Sequence, residues 1–559
     1  MRSDWLLRVQ VFIAGAAVLS LEILGSRLLS PHFGSSLFVW GSLIGVVLTA
    51  LSLGYYYGGR ISDRGPSRFT FSLTIFAAGA YILFITVLSP SIFDVVLTLK
   101  LGERFGPLAA TIFLLAIPSF LLGMVSPYAI RLKAAKIVEV GSTAGNLFAL
   151  STAGSIVGTF VTVFFLIPEF EVTRILIGTS ILLMIVSVVS LSLRAKSTAV
   201  VFIGIALAVS FTAPTTASGV IYEKESLYHH IVVVDNTITQ TRTLILDNNF
   251  HSATHVNDPT RTIYTYTDYF HFGILLNPQA KNVLFVGGGG LSGPKKFLND
   301  YERIQVYVVE IDRDVLAVAK KFFFVEDSPN LHIHESDGRV FLATSEQKYD
   351  IIVLDAFART YIPFHLMTKE FFEEIDTSLT EDGVVVSNII ASIDGPTSLI
   401  LKSEIKTMSQ VFPNVYVFPV STLGPSAIQN VIVVATKSPI SYSKADVVEI
   451  AKQSTVVKIP EFVSYASHYY EERIDTSDAH VLTDNFAPVE NLVNPLTGTP
   501  FLREEASRGS LVVEGSEVPQ SQILELNLPF VLAVIVAAGS GLTLLVLGKR
   551  QGNLRQMNA

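Results

Sequence analysis

Four short stretches of this sequence combine residue types that can bind a nucleoside and move a proton. The apolar run Asn282–Val286 opens into Gly287-Gly288-Gly289-Gly290-Leu291-Ser292-Gly293. Glycines there permit a tight turn and let backbone N–H groups approach a ligand closely. The next apolar run ends in Glu310-Ile311-Asp312. An acid about 20 residues beyond such a loop can accept hydrogen bonds from both hydroxyls of a ribose. Ser336-Asp337-Gly338-Arg339 follows the short run Leu331–His334. An Asp so placed can accept from an adenine amino group, although by itself the pair reads as an ordinary Asp-Gly turn. Leu354-Asp355-Ala356-Phe357 closes a further run. Asp355 can steer a cationic amine or accept its proton; the plainer alternative is a cap on the following segment. No Gly-Lys-Ser/Thr follows the glycines, which excludes a Walker-type phosphate loop.

These residues need a scaffold that brings strand ends together. From residue 281 strands alternate with helical patterns: Asn282–Val286, Val306–Glu310, Tyr349–Asp355, Val384–Ile389 and Asn430–Ala435. That alternation predicts βαβ units on a largely parallel sheet, with its carboxyl ends facing a ligand crevice. Upstream, the β-branched runs Tyr228–Asp235 and Thr243–Asp247 predict a small antiparallel sheet. The expected fold class is thus a multi-pass α-helical membrane domain joined to an α/β Rossmann-like domain with a small N-terminal β-subdomain. The expected limits are 1–215 for the membrane part, 220–270 for the β-subdomain and 271–495 for the Rossmann-like domain. A tether at 496–526, rich in Gly, Ser, Pro and Glu, and a last span at 527–548 follow.

Half of the 559 residues are hydrophobic and only 16% are charged, against about 25% in soluble chains. A bilayer core needs about 20 apolar residues in a helix. Candidate spans lie near 9–29, 38–58, 69–89, 108–130, 143–167, 173–193 and 198–214, with one more at 529–547 closed by Lys549-Arg550. Ser20-Leu21-Glu22 is followed by further apolar sequence instead of a cleavage site, so the first stretch reads as a retained span. Gly141, Gly145, Gly154 and Gly158 recur in the fifth span and are expected to pack helices closely. Glu22 and Arg27, in the first span, are expected to pair or to snorkel; a transport pathway is the alternative. The net charge of −8 argues against a nucleic-acid partner. The absence of cysteine excludes disulfides, Fe–S clusters and thiolate zinc. His229, His230, His251 and His255 lack a convincing metal-ligand set and read as surface or subdomain histidines.

The runs VLFVGGGG, VYVVEIDRDVLAVAKKFF, ESDGRVFL, YDIIVLDAF, IPFHLMTKEFF and EDGVVVSNI together resemble the spermidine synthase family, in particular its membrane-fused branch. SLYHHIVVVD, LILDNNFHSATH and DPTRTIYTYTDYFHF are similar to that family's β-region and tyrosine segment. LEILGSRLLSPHFGSSLFVW, LGYYYGGRISDR and LTDNFAPVEN resemble further parts of the fused proteins. The resemblance covers about 10–195 and 222–491. It implies that Gly287, Gly288 and Gly289 form the co-substrate loop, Glu310 holds the ribose and Asp337 binds adenine. It also implies that Asp355 is the catalytic aspartate, and that Tyr266 and Asp268 match the amine-binding segment. Two departures stand out. The family has an Asp contacting the aminopropyl end where this chain has Gly290, and a second Asp where it has Ala358.

The activity implied is aminopropyl transfer from decarboxylated S-adenosylmethionine to a small amine such as putrescine, without a metal, by a multi-pass protein of the cell membrane. The lipid bilayer and the amine are the expected partners, and a homo-oligomer is compatible with the reading. One alternative is a methyltransferase using ordinary S-adenosylmethionine on a membrane-associated substrate. Another is a non-catalytic nucleoside-binding transporter or sensor. The charges set two expectations against each other. Arg2, Arg8, Arg60, Arg64, Arg68, Arg131, Lys133, Lys136, Arg194 and Lys196 all fall on one side, which should be cytoplasmic. If 198–214 crosses, residues 220–525 lie outside, away from a co-substrate that is a cytoplasmic metabolite.

Overall fold

The computed structural model describes residues 2–34, 36–99, 101–134, 140–188, 204, 219–247, 249–356, 362–421, 423–493, 501–505 and 510–514. The expected span at 529–547 and Ala358 lie outside these residues, as does the expected span at 198–214 apart from residue 204. The chain divides into two compact units, Met1–Ser218 with Pro519–Ala559, and Gly219–Val518.

Among the described residues of the first unit five helices are long and apolar enough to cross a membrane: α1 (Asp4–Phe33), α2 (Leu37–Asp63), α3 (Arg68–Thr98), α4 (Arg104–Lys133) and α5 (Val140–Leu166). A shorter apolar helix, α6 (Val172–Val188), follows. Small residues let α1 and α5 approach each other. A Cβ on Gly154 would stand 2.0 Å from the Phe12 carbonyl oxygen, and one on Gly158 would stand 2.4 Å from that of Ala16. Hydrogen bonds reinforce the seam, from Ser155 Oγ to the Gly15 oxygen at 2.9 Å and from Thr162 Oγ1 to Ser20 Oγ at 2.9 Å. Gly141 and Gly145 take no part; a Cβ on either meets nothing within 4 Å. The four-residue repeat is therefore used at one end of the helix only.

The second unit opens with a four-stranded antiparallel sheet in the order β1 (Val220–Glu225), β2 (His230–Asn236), β3 (Thr241–Leu246) and β4 (Asn249–His255). A seven-stranded sheet follows, built from β5 (Asn282–Val286), β6 (Gln305–Glu310), β7 (Leu331–Glu335), β8 (Tyr349–Leu354), β9 (Leu379–Ala391), β10 (Asn414–Pro419) and β11 (Gln429–Thr436). Its order is β10-β11-β9-β8-β5-β6-β7. Strands β5 to β9 run parallel, whereas β10 and β11 pair antiparallel at one side. Chain order reverses between β5 and β8, and ligands of open α/β sheets bind at the carboxyl ends of such a switch point. Both faces of the sheet are covered, so its strands read as apolar runs. Val283, Phe285, Ile351 and Val353 pack into one core, and Leu284, Val286, Ile352 and Leu354 into the other. Within the expected tether, β12 (Phe501–Glu505) and β13 (Ser510–Glu514) form an antiparallel pair that the polar composition of the stretch conceals.

A titratable group lies beneath the sheet. Glu404, on the helix Leu399–Met408, is fully buried; Oε1 accepts from Ser387 Oγ at 2.6 Å and Oε2 has no hydrogen-bond partner. Burial pushes its carboxyl up to about 7 from an ordinary value of 4.5. Between those pH values the folded state holds a proton that the unfolded chain has lost. Folding therefore pays a penalty that is absent below about 4.5 and complete above about 7, on the order of 3 kcal/mol. Glu404→Gln should remove it. Calorimetric melting of wild type should fall relative to the variant between about pH 4.5 and 7, with the gap constant above that window and closed below it. Parallel curves across that range would refute titration of this group.

Candidate active site

Two glycines of the loop after β5 adopt conformations that side chains avoid: Gly287 has φ +92° and Gly289 φ +49°. A Cβ on Gly287 would lie 2.5 Å from the Asp355 carbonyl oxygen, so this glycine also lets the ends of β5 and β8 close on each other. The Asp355 amide donates to the Val286 oxygen at 2.9 Å across that junction. Glu310, at the end of β6, is buried. Its Oε2 accepts from the amides of Gly288 at 2.9 Å and Gly289 at 3.2 Å, and Oε1 accepts from the Asp312 amide at 3.1 Å. The acid thus holds the loop. A carboxylate has roughly four acceptor positions, which leaves capacity for ribose hydroxyls.

Asp337 follows β7 and caps the helix Gly338–Thr344. Oδ1 accepts from the amides of Arg339 at 2.9 Å and Val340 at 3.1 Å, and Oδ2 lies 3.0 Å from His365 Nε2. Burial by itself would raise its pKa; the Val340 amide, His365 and the Arg339 amide outweigh burial and hold the carboxyl below the usual aspartate range. The capping role is therefore real, and any adenine contact shares the carboxylate with it. Beside it, Arg339 is bidentate to Glu374 and to Asp484, with shortest contacts of 2.7 Å to each, and donates to the His365 oxygen at 3.2 Å. Asp484 also accepts from Thr368 Oγ1 at 2.7 Å.

Asp355 stands at the end of β8, where its Oδ1 accepts from Asn388 Nδ2 at 2.8 Å. Asn388 lies on the adjacent strand β9. The structure brings the glycine loop, Glu310, Asp337 and Asp355 to the carboxyl ends of four neighbouring strands. Tyr266 and Asp268 belong to a buried 3₁₀ turn, Thr265–His271. Tyr266 lines a small cleft with Ser252, Thr262, Tyr264, Ser292 and Lys296. Asp268 is not part of that lining. Its Oδ1 accepts from Thr262 Oγ1 at 2.8 Å, and burial pushes its carboxyl up to about 6.

Sequence reasoning missed several residues that shape the site. Ser252 Oγ accepts from the Gly290 amide at 2.9 Å, tying β4 to the glycine loop. His229, expected as a surface or subdomain histidine, is mostly buried in the β-subdomain and joined through Nδ1 to Asp247 Oδ2 at 2.7 Å. Burial would lower its pKa, but Asp247, with Asp312 and Glu310 farther off, raises it. Ser226 of the same segment bonds to the Asp312 carboxylate. Among the described residues no group of His, Cys, Asp and Glu could hold a metal ion.

Gly290, which stands where the resembled family has an acid, is closed off. A Cβ there would meet Ser252 Cβ at 2.8 Å and the Phe323 ring at 3.0 Å. Gly290→Asp should therefore cost about 1–3 kcal/mol by overpacking and should not tighten binding of decarboxylated S-adenosylmethionine. Melting and calorimetric titration test this, and a tighter-binding, equally stable variant would contradict it.

The sequence profile of the spermine/spermidine synthase domain matches residues 264–446. A polyamine aminopropyltransferase from Vibrio vulnificus is 30% identical over 282 residues, covering 49% of this chain and 92% of its own. A probable polyamine aminopropyl transferase from Bifidobacterium longum is 30% identical over 233 residues, 40% of this chain and 50% of its own. The crystal structure of spermidine synthase from Thermotoga maritima aligns at 23% identity and a TM-score of 0.35, over 45% of this chain and 85% of that one.

Proposed function

The chain belongs to the spermine/spermidine synthase family, and from that premise we propose that it is a membrane-bound transferase moving an aminopropyl group from decarboxylated S-adenosylmethionine to an amine such as putrescine. The observation that supports this most is the meeting of Gly287, Gly288, Gly289, Glu310 and Asp337 with Asp355 at one set of strand ends. The amine nitrogen attacks the methylene carbon bound to the sulfonium, the carbon–sulfur bond breaks, and methylthioadenosine leaves. The proton released from nitrogen passes to Asp355 and then to water. Holding the two reactants in line supplies much of the rate.

A second reading has one observation in its favour. The filled space at Gly290 removes the place for an acid at the aminopropyl end, and that suits a donor with a different tail, ordinary S-adenosylmethionine in a methyl transfer. Product analysis separates the two. The full chain in detergent is given each donor with a panel of diamines and polyamines. Methylthioadenosine formed only from the decarboxylated donor, and only with an amine present, is the expected result. S-adenosylhomocysteine from the ordinary donor would move the methyltransferase reading to first place.

The side of the membrane can be read by thiol labelling, because the chain has no cysteine. Glu346, just after the helix Gly338–Thr344, is exposed and suits the label. A cysteine at Glu346 should be protected from an impermeant reagent in intact cells and labelled after lysis. Labelling in intact cells would separate the domain from a cytoplasmic donor and sink the proposed activity.

A further inference from the structure

A line of side-chain amides runs across three neighbouring strands and ends on Asp355. Asn430 on β11 donates through Nδ2 to Asn388 Oδ1 at 2.9 Å, and Asn388 on β9 donates through Nδ2 to Asp355 Oδ1 at 2.8 Å. Both asparagines are buried, at 5% and 4% exposure, amid a core face made of Val384, Val386, Ile432 and Val434. Two polar side chains at such positions displace apolar packing, and each is kept only by being hydrogen-bonded. Their direction is not arbitrary. The carboxylate end accepts only, so Asn388 has to present its NH₂ group to Asp355 and its oxygen away from it. That oxygen then needs a donor, which Asn430 supplies.

We propose that Asn388 and Asn430 are positioning residues for the transfer reaction: Asn430 fixes the amide orientation of Asn388, and Asn388, by holding Oδ1, fixes the orientation of the Asp355 carboxylate for proton transfer. The inference rests on the reading of Asp355 as the proton acceptor. It adds two residues that do not touch the reacting atoms, one of which acts only through the other.

The arrangement makes an unusual demand of Asn430→Asp. That variant keeps the size of the side chain but turns a donor into an acceptor. Asn388 can then satisfy it only by rotating its amide, which places an oxygen against the Asp355 carboxylate. Asn430→Asp should therefore lower kcat about 10- to 100-fold, as much as Asn388→Leu, whereas Asn430→Leu should lower it only about three- to tenfold. KM for decarboxylated S-adenosylmethionine should stay within about threefold in all three. The double variant Asn388→Leu/Asn430→Leu should be no slower than Asn388→Leu, since the second residue has lost its only route to the site. Melting of each variant is measured alongside, and the two Asn430 variants carry the test if Asn388→Leu does not fold. An Asn430→Asp enzyme as active as wild type, beside an inactive Asp355→Asn control, would overturn the positioning proposal alone. An active Asp355→Asn control would overturn the reading beneath it.

Discussion

Asp355→Asn should lower kcat by about 10²- to 10⁴-fold, the range over which a positioned general base contributes, while methylthioadenosine binds within about threefold of its wild-type affinity. The substitution is conservative in every respect except chemistry. An asparagine oxygen can still accept from Asn388 Nδ2, now at 2.8 Å from Asp355 Oδ1, and the main-chain bond to the Val286 oxygen is untouched. The glycine loop and Glu310, which are tied to each other, keep their geometry. What disappears is the anionic charge that attracts an ammonium group and the basicity that receives its proton. Steady-state kinetics with decarboxylated S-adenosylmethionine and titration calorimetry with methylthioadenosine measure the two halves separately. A variant that turns over at a tenth of the wild-type rate or faster would remove Asp355 from the chemistry. A variant that no longer binds the nucleoside would assign it to binding instead.

Arg339→Ala is expected to have the largest effect on stability, a loss of about 2–4 kcal/mol. One guanidinium joins Glu374 on the helix Lys369–Ser378, the His365 carbonyl and Asp484 near the end of the unit. Its side chain is 18% exposed and that of Glu374 33%, so this pair is partly desolvated, whereas Asp484, at 44%, meets the guanidinium at the surface. Removing it leaves two carboxylates facing each other across the vacated space. Arg339→Lys should recover little, because one ammonium cannot present paired donors to two carboxylates at once. Donor affinity should fall as well, since Arg339 belongs to the helix that Asp337 caps. Denaturant titration, with and without methylthioadenosine, checks both effects. A lysine variant as stable as wild type would refute the role given to the bidentate geometry.

How far these features could be read in advance depended on how local their causes are. The apolar helices declare themselves because a run of apolar residues is a property of consecutive sequence, and α1 to α6 lie where hydropathy puts them. The glycine loop and Glu310 are also close in sequence, 22 residues apart at the Gly288 contact, with a strand before each to give the position meaning. Asp355 was legible as the last residue of an apolar run. By contrast, Asn388 meets Asp355 across 33 positions, Asn430 meets Asn388 across 42 and Gly290 meets Ser252 across 38. Those contacts exist only once β9, β11 and β4 have taken their places, and an isolated Asn or Ser in an apolar run carries no mark of its partner. Strand β10 was missed because Val415, Tyr416, Val417 and Phe418 form too short a run to stand out beside β11. The antiparallel side of the sheet was hidden with it.

The crowding around Gly290 also bears on how the donor preference of this protein can be redesigned. An acid at that position would need Ser252 shortened or withdrawn and the Phe323 ring replaced, before its carboxylate could reach any ligand. Each of those changes alone loses something, the first a hydrogen bond to the loop amide and the second a fully buried ring. A library that varies residue 290 by itself would sample collisions. A productive search has to randomise residues 252, 290 and 323 together.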